Sequence, residues 1–250
     1  MHTFVTGAAS GIGAATALRL ARRGPVALAD RDADGLVATA RAVTDAGGGT
    51  ATAHVLDVTD ADDVAAALDA AEKAGGPVDA LAHCAGILVA GPVLDTAAED
   101  WAAALAVNLT GTVNVLTAAA RRMAERGAGA AVVVGSNAGN GPRVGLGAYG
   151  ASKAAAHNAT LTLALELAGS GVRINVVAPG STATPMQTAF GGAAAAEAAI
   201  AGDLARHRLA IPLGRIADPE DIAGAIDYLL SPDARHVTAQ VLTVDGGATV

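Results

Sequence analysis

The chain predicts an α/β fold: a doubly wound, seven-stranded parallel sheet flanked by helices on both faces. Three observations carry that prediction. Short β-branched runs alternate with longer Ala/Leu-rich stretches of helical period, the rhythm of βαβ units. A glycine-rich turn joins the first strand to the first helix. No linker, shift of composition or internal repeat interrupts the 250 residues, so residues 1–250 form one domain.

The elements follow in order. Strands are expected at residues 2–6, 26–29, 50–56, 80–84, 130–135, 173–178 and 241–244. Helices are expected between them at 11–23, 33–46, 61–74, 96–126, 148–170 and 219–230. Residues 181–209 depart from this rhythm, being long, Gly/Ala-rich and weakly periodic. They read either as a surface helix pair or as a lid over a ligand, because insertions at this edge of such sheets serve ligands.

Composition narrows the function. Hydrophobic residues make up 52% of the chain and aromatic ones only 2%, so the core is built from Ala, Val, Leu and Ile. A net charge of −8 argues against a nucleic-acid partner and against an anionic membrane surface. The uncharged run 102–120 contains Asn108, Gly111, Asn114 and three threonines, which suits a helix buried at a protein interface better than a membrane span. No basic leader precedes the first strand, and the single cysteine, Cys84, allows no internal disulfide; both suit a cytoplasmic protein. The six histidines lie far apart without metal-ligand spacing, so no metal is expected.

At one end of the predicted sheet lies a nucleotide site. Gly7, Ser10, Gly11, Ile12 and Gly13 belong to a G-x-x-x-G-x-G turn that follows the first strand and opens the first helix. Such a turn lets the backbone approach a pyrophosphate, and the helix N-terminus supplies N–H donors. Asp30, ending the second strand, accepts hydrogen bonds from ribose hydroxyls and repels a 2′-phosphate, which favours NAD. Arg31 follows and could serve NADP. Asp57 and Val58 close the third strand; by itself Asp57 reads as a helix cap, since Asp60 and Asp62 crowd the same turn.

A second cluster carries chemistry. Tyr149 and Lys153 stand four apart on one helix, so phenol and ammonium share a face. A nearby cation favours phenolate, and the tyrosine pKa is expected to fall from about 10 toward a usable value for a general base. Ser136 leaves the end of a central strand, where it can hold a substrate oxygen beside Tyr149. Asn108, inside the long helix, can deform it and anchor a water leading to Lys153.

In order and spacing, Asn108, Ser136, Tyr149 and Lys153 resemble the catalytic tetrad of the short-chain dehydrogenases, whose Rossmann-type fold carries NAD(P)-dependent oxidation. The resemblance spans essentially the whole chain and includes Asn175-Val176-Val177-Ala178-Pro179-Gly180 and Val244-Asp245-Gly246-Gly247. It implies an adenine contact at Asp57-Val58, the alternative to the cap reading of Asp57. It also implies that Ala85, Gly86, Pro179, Gly180 and Thr182 contact the cofactor together with Tyr149 and Lys153. One position departs: where the family has Asn-Asn-Ala-Gly, this chain has His83-Cys84-Ala85-Gly86. His83 is expected to replace the strand-tying bond of the first Asn without ligating metal. Cys84 is expected to be a small buried hydrophobe rather than a nucleophile.

Further stretches, among them Pro142-Arg143-Val144-Gly145, Pro179-Gly180-Ser181-Thr182 and Ile211-Pro212-Leu213-Gly214, resemble the 2,3-dihydro-2,3-dihydroxybenzoate dehydrogenases of siderophore pathways. That resemblance implies a small cyclic hydroxy acid as partner, oxidised to a catechol in a direction favoured by aromatisation. Arg143, between Ser136 and Tyr149, is the candidate carboxylate anchor, though it also reads as a surface arginine shaping its loop. Asn137, Met186 and Gln187 are candidate substrate contacts, with Leu88 and Leu146 as further walls. A ring bearing an amino group, giving a 3-hydroxyanthranilate-type product, fits the same residues. Reduction of a 3-oxoacyl thioester is disfavoured by Asp30 and by the acidic balance. A non-catalytic NAD-binding regulator would tolerate a broken tetrad, and all four positions are intact. A homotetramer is implied by the family, with the 102–120 helix and the Tyr149 helix as contact surfaces.

Overall fold

A computed structural model describes residues 1–249. Seven strands, β1 (Thr3–Thr6), β2 (Val26–Asp30), β3 (Ala51–Val55), β4 (Ala80–His83), β5 (Gly129–Val134), β6 (Val172–Pro179) and β7 (Val241–Val244), form one sheet. All pairs are parallel, in the order β3-β2-β1-β4-β5-β6-β7. The order reverses between β1 and β4, and a crevice opens beyond the carboxyl ends of such strands.

Period two decides which face each strand residue covers. Phe4, Ala27, Ala29, Leu81, Ala131 and Val133 point to one face, where α3 (Ala61–Gly75) and α5 (Thr112–Arg126) bury Val64, Leu68, Val115, Leu116 and Met123. Val5, Val26, Leu28, Ala80, Ala82 and Val132 point to the other, under α1 (Gly11–Leu20), α2 (Ala33–Asp45) and α9 (Pro219–Leu230). Both faces are apolar because both are covered. Each fully buried Leu or Met contributes about 2 kcal/mol of transfer free energy.

The observed elements differ from the expected ones mainly at their ends. The long helix starts at Ala98 rather than 96, and α4 (Ala98–Leu105) runs into α5 through a π-helical segment, Ala106–Gly111. By length and composition Ala98–Arg126 could cross a membrane; here α5 buries its apolar stripe on the sheet. The Tyr149 helix, α6, covers Gly147–Glu166 and ends in a short 3-10 turn, Ala168–Ser170. The weakly periodic 181–209 region contains α7 (Pro185–Ala189), α8 (Gly192–Ala201) and a 3-10 turn at Leu204–Arg206. It is a helix pair, as one reading expected, and several of its residues wall the larger cavity.

Candidate active site

Two cavities of about 490 and 290 Å³ open at the carboxyl edge of the sheet. Ile12, Cys84, Gly86, Thr184 and Met186 line both, so the two spaces meet at these residues.

The smaller cavity is walled by Gly7, Ser10, Gly11, Ile12, Gly13, Asp30, Arg31, Asp57, Val58, Ala85 and Gly86. Gly7 adopts φ +65°, and a Cβ there would stand 2.7 Å from the Ala85 nitrogen, so only glycine lets this turn lie against β4's exit. Ser10 caps α1 in extended conformation without a side-chain capping bond, which leaves its hydroxyl and the first helical N–H groups uncommitted. Asp30 accepts from the amides of Ala9 and Asp32, both at 3.1 Å, which aims its carboxylate along the cavity edge. Asp57 accepts the Thr59 amide and hydroxyl, and these bonds hold its pKa below the usual carboxylate value. The cap of α3 is Asp60, so the helix-cap reading of Asp57 falls away. Uncommitted donors at a helix start, opposed to a strand-end carboxylate, fit the pyrophosphate and ribose of a dinucleotide.

Ser136, Asn137, Arg143, Tyr149, Lys153, Met186 and Gln187 line the larger cavity, with Leu88, Leu146, Pro179, Gly180 and Thr182. The expected cofactor contacts therefore divide: the turn residues lie on the small side, and Pro179, Gly180, Thr182, Tyr149 and Lys153 on the large side. Asn137 is committed to its fold, its Nδ2 donating to Asp245 Oδ2 at 3.0 Å.

Lys153 Nζ donates to the Val134 carbonyl at 3.0 Å and lies 6.0 Å from the Tyr149 ring centroid. Burial brings its pKa down to about 8. Here the expectation for Tyr149 is corrected. Its pKa is raised rather than lowered, because burial of the phenol outweighs the opposing Ser136 hydroxyl. Lys153 points its ammonium at a backbone carbonyl, so the i, i+4 spacing delivers proximity without the direct contact that would favour phenolate.

Asn108 lines neither cavity. Its side chain pairs with both backbone groups of Ile87 at 2.9 Å and donates to Ser152 Oγ at 3.0 Å. A Cβ on Gly86 would stand 3.1 Å from both Asn108 Oδ1 and Lys153 Nζ, so these two side chains converge beneath Gly86. The π segment places the Asn108 carbonyl 2.7 Å from the Thr112 hydroxyl, which donates to it. Thr112 thereby spends its only proton and accepts from His83 Nε2 at 3.0 Å. His83 Nδ1 then accepts the Thr6 hydroxyl at 2.8 Å, and Thr6 receives the Ala85 amide. One chain of hydrogen bonds thus ties β1 and β4 to the helix bulge, as expected of His83. Burial, assisted by the Lys153 charge, takes the His83 pKa down to about 3, so the imidazole is neutral. Cys84 is half-buried and lines both cavities rather than being fully buried as expected, and desolvation still raises its thiol to about 12, which removes it as a nucleophile.

Three residues escaped the sequence reading. His157 Nε2 accepts the Ser136 amide at 3.3 Å, and burial with the Lys153 charge lowers its pKa to about 4. Continuing the Tyr149–Lys153 stripe by one helical turn would have found it. Along that stripe α6 grips the exit of β5 twice, at Val134 through Lys153 and at Ser136 through His157. Arg206 and Arg208, from the weakly periodic segment, also line the larger cavity; no local pattern marks them. Among the described residues no His, Cys, Asp or Glu cluster could hold a metal.

Comparison with known proteins adds lineage to this geometry. A family model described as Enoyl-(Acyl carrier protein) reductase matches residues 7–249. A 2,3-dihydro-2,3-dihydroxybenzoate dehydrogenase of Bacillus subtilis (strain 168) is 40% identical over 252 residues, covering 99% of this chain and 95% of that protein. Its namesake in Escherichia coli (strain K12) is 41% identical over 250 residues, covering 100% and 97%. The crystal structure of an actinorhodin polyketide ketoreductase variant with NADPH matches with a TM-score of 0.90 at 33% identity, covering 99% of this chain and 96% of that one.

Proposed function

The chain belongs to the short-chain dehydrogenase/reductase family, and on that premise we propose that it oxidises 2,3-dihydro-2,3-dihydroxybenzoate to 2,3-dihydroxybenzoate with NAD. One observation carries the reading from the site itself. Ser136 and Tyr149, which handle a hydroxyl, and Arg143, which can pair with a carboxylate, line the same cavity of about 490 Å³. That cavity meets the dinucleotide cavity at Gly86 and Met186.

A bound nicotinamide ring supplies the hydride acceptor. Ser136 holds the substrate hydroxyl beside Tyr149, and the phenolate form of Tyr149 takes its proton as hydride leaves the carbinol carbon; because burial raises the phenol's pKa, that form is favoured as pH rises. The ketone so formed tautomerises: the adjacent ring carbon loses its proton, the ketone oxygen gains one, and the ring becomes aromatic. Arg143 forks onto the carboxylate and fixes which ring carbon faces Tyr149. Lys153 and Asn108, converging beneath Gly86, hold the floor of the site. Asp30 supports NAD over NADP, because its carboxylate pairs with ribose hydroxyls and repels a 2′-phosphate. A homotetramer built through the 102–120 helix and α6 belongs to the same proposal; light scattering that returns a clean monomer would refute it.

The test is direct. Purified protein, NAD and the dihydro-diol acid should yield NADH and the catechol in equal amounts, with NADP a poorer oxidant. No NADH from this acid, combined with NADPH-dependent reduction of a 3-oxoacyl thioester, would replace the proposal with a reductase.

A further inference from the structure

Three arginines converge on the larger cavity: Arg143, Arg206 and Arg208. They come from two segments. Arg143 lies in the loop before α6, and the other two lie in the turn that follows α8. That turn is tightly built. Asp203 and Arg208 exchange both backbone hydrogen bonds at 2.8 Å, and the Asp203 carboxylate accepts the Arg206 amide at 3.2 Å. His207, between the two arginines, takes φ +51°, a left-handed conformation that a residue with a Cβ rarely adopts. The turn holds that strain while both flanking arginines line the cavity.

The two segments also approach each other. A Cβ on Gly145, two residues beyond Arg143, would stand 3.2 Å from Arg206 Nη2. Arg208 Nη2 donates to Ser181 Oγ at 3.1 Å. Among the described residues, no ion pair engages any of the three. Two carboxylates lie near, Asp203 on the same cavity and Asp245, but neither makes an ion pair with the three. Asp203 caps its own turn, and Asp245 accepts from Asn137, Gly247 and Thr249. The cations also work against one another. Burial lowers the Arg143 pKa and Arg208 lowers it further, with Asp245 opposing; burial and then Arg206 lower that of Arg208, with Asp203 opposing. A protein of net charge −8 thus gathers on one cavity three guanidiniums without an ion pair, against the single carboxylate of Asp203 among the described residues, and an anion between them would relieve the remaining repulsion.

We infer that Arg206 and Arg208 form with Arg143 a two-sided clamp for the substrate carboxylate, making the 203–208 turn the determinant of acid over neutral ring alcohols. This rests on reading the larger cavity as the substrate site. Guanidinium forks match a planar carboxylate, so one arginine takes it bidentately and the others close on its remaining lone pairs. A neutral ring alcohol leaves the arginines facing each other and gains nothing from the turn.

Binding can be measured without turnover. Calorimetry on the NADH-loaded protein would compare benzoate with benzamide, which keeps the ring and loses the charge. Arg206→Gln and Arg208→Gln should each weaken benzoate about tenfold and together about a hundredfold, with benzamide unmoved. Arg208→Lys keeps the charge and should retain part of the benzoate affinity, which separates lost charge from a misfolded turn. Equal weakening of both ligands, or unchanged benzoate binding in the double variant, would overturn the clamp. The dehydrogenase reading fails separately: benzoate preference lost on substitution, in a protein that never oxidises the acid, keeps the clamp and removes the reaction. Oxidation of the acid with unchanged KM in the double variant does the reverse.

Discussion

The two cavities are built by different means. The dinucleotide side takes most of its wall from the carboxyl ends of β1, β2, β3 and β4, each a short contiguous turn, and it works largely through backbone and glycine. The substrate side takes its wall from the exit of β5, the loop before α6, α6 itself and the 203–208 turn, and it works through side chains. Phosphates and ribose can be read by a local turn, because N–H groups and one carboxylate suffice. A small ring acid needs groups placed around it in three dimensions, so its site is assembled from distant segments.

The contrast can be broken from either side. The largest effect should come from Tyr149→Phe, which removes the proposed proton acceptor, a residue that lines the larger cavity and not the smaller one. Turnover should fall by roughly a thousand-fold or more, while NADH affinity measured by fluorescence stays within about twofold. Loss of NADH binding in that variant would show that the two cavities are one unit. On the other side, Asp30→Ala should weaken NAD about ten- to a hundredfold and narrow the preference over NADP, leaving kcat at saturating cofactor nearly unchanged.

Smaller effects sharpen the difference between turn and side chain. Gly7→Ala places a Cβ at φ +65° and 2.7 Å from the Ala85 nitrogen. It should cost about 2 kcal/mol of stability, seen as a lower Tm, because strain and clash fall on backbone that cannot yield. His83→Asn probes the bond chain that links the two sides. In the unfolded chain His83 takes a proton below its ordinary value of 6.5, whereas the folded protein holds it neutral down to about 3. Stability should therefore fall as pH drops through that window, by about 1.4 kcal/mol per pH unit for this one group. The Asn variant should show a shallower acid slope in denaturant titrations at pH 6 and below; an unchanged slope would mean that His83 is not the group held neutral.

Much of this was legible in the chain itself. The alternation of β-branched runs with Ala/Leu stretches located every strand within a residue or two, because a sheet covered on both faces demands unbroken apolar runs. That the turn 7–13, Asp30 and the Tyr149–Lys153 stripe wall the two cavities was legible for a similar reason: each sits in contiguous sequence or on one helix face. The expected role of His83 came from the resemblance, in which it replaces the family's first Asn, and the ladder then pairs it with Thr6 of β1. Within segment 181–209 a helix pair could be expected, but the place of its side chains could not, since its alanines and glycines carry little periodicity and its residues reach the cavity only through tertiary packing.

By itself, then, the sequence determined the α/β order of elements, the dinucleotide turn, and which helix face carries Tyr149 and Lys153. Only the tertiary structure decided the electrostatics on that face. Helical spacing places two side chains near each other, but it does not state how deeply they are buried or which third group they bind. Lys153 turned to the Val134 carbonyl, burial moved the tyrosine pKa upward, and His157 took hold of Ser136. Arg206 and Arg208 were brought to Arg143 by a turn far away in sequence. Desolvation and long-range approach are properties of the packed molecule, and no local pattern encodes them.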